Sequence, residues 1–137
     1  MKKFGIFLLI LLCISLLWVP ASAASGVESV RTEVLVQEDG SCSVAMRITL
    51  RLEQGEKLEI PLPQDAQDVR LGGKFRTPTQ QGGRLVLPLP ELEAGLHVLE
   101  VSYTLANAVM QKSAGLLLDV PLLTGLSYPV ERFSFAV

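Results

Sequence analysis

Residues 43–52 alternate almost without a fault. Val44, Met46, Ile48, Leu50 and Leu52 take one parity, while Ser43, Arg47, Thr49 and Arg51 take the other. On a helix these apolar side chains would scatter around the axis; on a strand they share one face. A period of two over this length predicts a half-buried antiparallel strand. Upstream, Val30, Val34 and Val36 repeat the pattern, with Arg31, Glu33 and Gln37 opposed to them. The turn between the two runs follows from register. A two-residue Asp39-Gly40 loop would set Val36 against Ser43, a core side chain against a solvent one. A three-residue loop, Glu38-Asp39-Gly40 with Gly40 left-handed, pairs Val36 with Cys42 and Val34 with Val44. The second arrangement keeps both apolar sets on one face and is the predicted one.

Short strands continue to the last residue. Residues 58–60 form one, closed by Pro61, and residues 68–71 another, ended by Gly72-Gly73. Phe75 adds a brief one before the Gln81-Gly82-Gly83 turn. Leu85, Leu87 and Leu89 share a face. Leu99, Val101, Tyr103 and Leu105 follow the Glu93-Ala94-Gly95 turn, which puts His97 at the start of its strand. Residues 106–114 lose the alternation and are expected to be a connection with a helical turn. Residues 116–120 and 130–137 close the pattern. Seven to nine strands with Pro and Gly turns predict an all-β fold, an antiparallel immunoglobulin-like β-sandwich over residues 24–137. A small β-barrel is the alternative.

The N-terminus carries a different signal. Lys2 and Lys3 precede an uncharged apolar run to Val19, then Pro20 and Ala21-Ser22-Ala23. That is the layout of a signal peptide over residues 1–23, recognised through Ala21 and Ala23 and cut after Ala23. The run is also long enough for an uncleaved anchor, but Pro20 breaks a helix where the bilayer still demands one. The expected location is therefore extracytoplasmic, at the cell surface or membrane-anchored, with free secretion the alternative. The leader takes Lys2 and Lys3, so ten of the twelve basic residues remain against fourteen acidic ones. A net charge near −4 with no basic stripe excludes nucleic acid as a partner. Trp18 leaves as well, and with Cys13 gone Cys42 has no internal disulfide partner. Packing alone must hold the domain, as suits a bacterial envelope protein.

Chemistry is sparse. There is one histidine, His97, and no Gly-x-Ser-x-Gly elbow. Cys42 and His97 supply too few ligands for zinc. The carboxylate groups (Glu91 with Glu93, Asp65 with Asp68, and Glu53, Glu56 and Glu59) fall in polar turns and strand edges, away from any burial that would tune a pKa. No catalytic residue, metal, cofactor or small-molecule substrate is expected. Two prolines recur in Ile60-Pro61-Leu62-Pro63 and Leu87-Pro88-Leu89-Pro90, a spacing that suits strand exits better than a polyproline groove. Leu116-Leu117-Leu118 and the nearby Leu122-Leu123 place apolar side chains on both faces. Such a run is either covered on both sides, the favoured reading, or turned towards a partner. The candidate partner contacts are therefore Leu117, Leu122, Leu123 and Phe75. Phe75 is the aromatic freest to be exposed. Phe133-Ser134-Phe135-Ala136-Val137 stops in mid-alternation, and the expectation is a domain truncated at its C-terminal end.

The stretch from Val34 to Leu52, with Gln37-Glu38-Asp39-Gly40-Ser41 leading into the alternating strand, resembles the opening of the YciQ-like predicted bacterial membrane proteins. Residues 127–133, Ser-Tyr-Pro-Val-Glu-Arg-Phe, are similar to a later strand of that family. The resemblance implies a signal peptide, an extracytoplasmic β-rich domain of unknown function and a membrane anchor downstream. The leading expectation is a non-enzymatic structural or protein-interaction ectodomain with an envelope protein as partner. A secreted carbohydrate- or surface-binding module is the alternative, and a hydrolase using loop carboxylates comes third.

Overall fold

The computed structural model describes residues 24–121, 123, 126 and 128–137. The leader, with Ala21 and Ala23, and Leu122 lie outside the described residues. Among those described there is no helix. The strands are β1 (Gly26–Val36), β2 (Cys42–Leu52), β3 (Glu59–Leu62), β4 (Gln67–Leu71), β5 (Lys74–Phe75), β6 (Thr79–Gln81), β7 (Arg84–Pro88), β8 (Gly95–Leu105), β9 (Val109–Lys112), β10 (Gly115–Leu118) and β11 (Phe133–Ala136). A six-stranded sheet runs β11-β1-β2-β8-β4-β5, a three-stranded sheet β3-β7-β6, and β9 and β10 form a separate ribbon.

The two larger sheets make a sandwich around a single core. Val30, Val44, Ile48, Val101 and Leu105 come from the six-stranded sheet, while Ile60, Leu85 and Leu87 come from the three-stranded one. Each side chain so buried contributes about 1.5–3 kcal/mol of hydrophobic stabilisation. The sheets stay open, so the barrel alternative does not apply. One pair breaks the antiparallel pattern: β11 runs parallel to β1, with Val30 opposite Phe133 and Thr32 opposite Phe135.

The first hairpin adopts the predicted three-residue loop. Val36 pairs with Cys42 and Val34 with Val44, Gly40 has φ 83°, and the Gln37 N–H donates to the Ser41 carbonyl at 2.9 Å. The Asp39 carboxylate accepts from the Ser41 N–H at 3.0 Å and from its hydroxyl at 2.6 Å. These bonds hold the Asp39 carboxyl below the usual range. β1 differs from its simple parity in two places. A register shift between Val27 and Ser29 lets Val27 reach the core out of phase with Val30. Val36, expected inside, is 41% exposed, while Thr32 takes a buried position.

The two proline-containing echoes turn out to be neighbours. Ile60 lies opposite Leu87 and Pro61 opposite Val86. The strand does not close at Pro61 but runs through it, on an edge strand where a missing donor is tolerated. Gly72 and Gly73, at φ 57° and 78°, make the two-residue left-handed turn that joins β4 to β5.

Three expectations need correction downstream. His97 is the third residue of β8, half-buried, with Nε2 2.6 Å from the Glu93 carbonyl. Residues 106–114 contain β9 rather than a helical turn, because Lys112 opposite Gly115 closes a tight ribbon with β10. The leucines of β10 are not covered on both sides: Leu116 is 77% and Leu117 45% exposed. The Asp119 N–H to Ala108 carbonyl bond extends the ribbon's own ladder, and the ribbon attaches through Val109 N–H to the Gly40 carbonyl and through Ala108 and Leu118, which meet the edge of the core.

Candidate functional site

Strand pleating gives the six-stranded sheet a second face, turned away from the core. Register sorts its side chains into rows that cross the strands. Glu33 pairs with Ala45, Ala45 with Ser102, Ser102 with Arg70, and Arg70 with Phe75. This row is small in the middle and large at both ends, so the sheet surface dips over β2 and β8. On one side stands a row of charged residues, Arg31 opposite Arg47 and Arg47 opposite Glu100. On the other side Ser43 lies opposite Thr104, which lies opposite Gln67.

The dip has two lobes that share Ala45. The larger, of about 420 Å³, is lined by Ser43, Ser102 and Thr104 on its floor and by Asp68, Arg70 and Phe75 at its rim. The smaller, of about 280 Å³, is lined by Arg31, Glu33, Arg47 and Glu100. Ligand clefts occupy roughly 300–1,000 Å³. Between β1 and β5 lie four strand spacings of about 4.8 Å each, or about 19 Å in all.

The arginines of the trough are each held by a neighbour. The Arg70 guanidinium lies over the Phe75 ring, 4.0 Å from its centroid, a cation–π contact. Arg47 donates to Glu100 at 2.7 Å, and Arg31 sits 2.9 Å from Glu33. Such exposed pairs contribute little stability, about 0–1 kcal/mol, but they fix where the polar groups point. Asp68 sits at a bulge, where Asp68 and Val69 together span the single residue Tyr103 between the Gln67 and Arg70 pairings. Its φ of 50° is the one positive value among the described non-glycine residues. Aspartate tolerates this conformation better than most side chains. The bulge turns Asp68 to the outer face while Val69 stays buried.

The sequence-derived contacts do not converge. Phe75 is 63% exposed on β5, at the rim just described. Leu117 projects from the β9–β10 ribbon on a different sheet. Leu123 is half-buried and packs against the core, and Leu122 lies outside the described residues. Arg70, Ala45 and Ser102 were not candidates in the sequence, and Asp68 was weighed there only as a carboxylate paired with Asp65. Alternation shows that Ala45 and Ser102 point outward, but only pairing brings them into one row with Phe75.

The remaining titratable groups are separate. Cys42 is fully buried, and burial raises its thiol pKa. Tyr128 donates a short hydrogen bond to Glu56, which raises the phenol pKa and ties the segment before β11 to the loop before β3. Glu59 accepts from Gln81 at 3.0 Å. Among the described residues no group of three or more His, Cys, Asp or Glu side chains is placed to hold a metal ion. No protein-family model, curated protein or solved structure matches this chain.

Proposed function

We propose that this chain is an exported, non-enzymatic interaction domain that binds another protein of the bacterial envelope and is tethered through a downstream membrane segment. The observation that carries the reading is the β9–β10 ribbon, which displays Met110, Leu116 and Leu117 to solvent at 38%, 77% and 45% exposure. Leu117 and Met110 are directly opposed, so they form one apolar contact of the kind that marks protein interfaces. The leader supplies the export route, and the resemblance to the YciQ-like membrane proteins agrees with the tether.

The test has two parts. A periplasm-active reporter fused after residue 40 should be active, and the processed protein should begin at Ala24. A photo-crosslinking side chain at position 117 should then give a discrete adduct in intact envelopes, lost when Met110, opposite it on the same face of the ribbon, is changed to Glu. An inactive reporter, or the same adduct pattern from a crosslinker at the remote position 84, would refute the proposal.

A further inference from the structure

We infer that the outer face of the six-stranded sheet is a binding site for a neutral oligosaccharide, separate from the leucine ribbon. Charge, shape and side-chain chemistry each narrow the ligand. Arg31, Arg47 and Arg70 are balanced by Glu33, Asp68 and Glu100 across the two lobes. A site with three charges of each sign attracts neither a polyanion nor a polycation at long range. The floor over β2 and β8 is hydroxyl-rich, so a purely apolar ligand would leave Ser43, Ser102 and Thr104 without water or a partner.

What fits is a ligand with apolar ring faces and a rim of hydroxyls, which describes a pyranose. Phe75 supplies the stacking surface: the Arg70 guanidinium covers one face of its ring and holds it in place, and with the residue 63% exposed the opposite face is the one offered to a sugar. Asp68 and Arg70 offer acceptor and donor groups beside that ring, the pairing that vicinal hydroxyls require. Asp68 is placed there by the bulge, whose left-handed backbone turns its side chain to the outer face. The trough crosses from β1 to β5, about 19 Å by strand spacing, so the ligand is an oligomer rather than one sugar.

Affinity electrophoresis of the full chain tests this, using gels that contain soluble neutral polysaccharides (a glucan, a mannan and a galactan). Polygalacturonate serves as the anionic control. At least one neutral polymer should retard the protein. Phe75→Ala should weaken retardation at least tenfold, and Ala45→Trp, which fills the middle of the trough, should abolish it. Both positions are exposed, so circular dichroism and the denaturation midpoint should stay unchanged. Leu117→Glu on the ribbon should leave retardation intact, which separates this site from the protein-binding surface. No retardation by any neutral polymer, retardation by polygalacturonate alone, or retardation indifferent to both trough variants would each overturn the inference.

Discussion

Val36 stands directly across the β1–β2 ladder from Cys42, and that single pairing sets the register of the central hairpin. It exists because three residues, not two, make the turn. Gly40 takes the left-handed position at φ 83° and offers its carbonyl to Val109. A Cβ there would meet the Val109 carbonyl at 3.8 Å, ordinary contact, so the penalty of a larger residue is backbone strain and not a clash. Gly40→Val should destabilise the fold by about 1–2 kcal/mol, read as a lower urea midpoint with an unchanged slope. An unchanged midpoint would mean that the turn can reorganise freely.

Thr32 is 4% exposed on β1, and its Oγ1 has no hydrogen-bond partner. Leaving a buried hydroxyl unpaired costs roughly 1–3 kcal/mol. Thr32→Val should therefore stabilise the domain by about 1 kcal/mol, measured by the same denaturation. A loss of stability would show that the hydroxyl is satisfied.

Tyr103 packs inside the sandwich, and burial, with smaller contributions from Cys42 and Asp65, pushes its phenol up to about 12. The folded chain thus holds this proton more tightly than the unfolded chain, whose phenol titrates near 10. The stabilisation is fully present below pH 10 and is lost as pH rises towards 12. Linkage gives a loss of roughly 1 kcal/mol by pH 11. Tyr103→Phe should flatten that part of the stability curve, and equal slopes for the two proteins between pH 10 and 11.5 would contradict it.

Cys42 is 0% exposed, so the thiol has no route to a reagent while the sandwich is closed, and burial also keeps it protonated. Ellman's reagent at pH 8 should leave it unmodified in native protein and label it fully in denaturant. The native labelling rate should follow the opening of the β1–β2–β8 sheet. Rapid labelling without denaturant would show that this part of the core is not closed.

Much of the sandwich was legible in the order of residues. The alternation of Val44, Met46, Ile48, Leu50 and Leu52 survived intact, because a strand buried on one face has only one register that hides its apolar set. Turn chemistry was legible for the same local reason, since Gly40 and the Gly72-Gly73 pair mark places where other residues would be strained. Where periodicity failed, so did foresight. Residues 109–118 carry apolar side chains on both parities, which fits a buried strand as well as an exposed ribbon, and only the fold shows that Leu116 is exposed among the described residues.

Residue order by itself determined that this chain is all-β, where most strands run, how the first hairpin turns, and that Cys42 lies inside. Those are consequences of local sterics and of solvent sorting the two faces of each strand. The tertiary structure alone decided that Glu33, Ala45, Ser102, Arg70 and Phe75 form one row, that β11 runs parallel to β1, and that Ile60 meets Leu87. These depend on which strands become neighbours. Pairing is chosen by the fit of the whole core, and the linear sequence leaves it open because residues far apart in the chain, such as Ala45 and Ser102, are brought together only when the sheet closes.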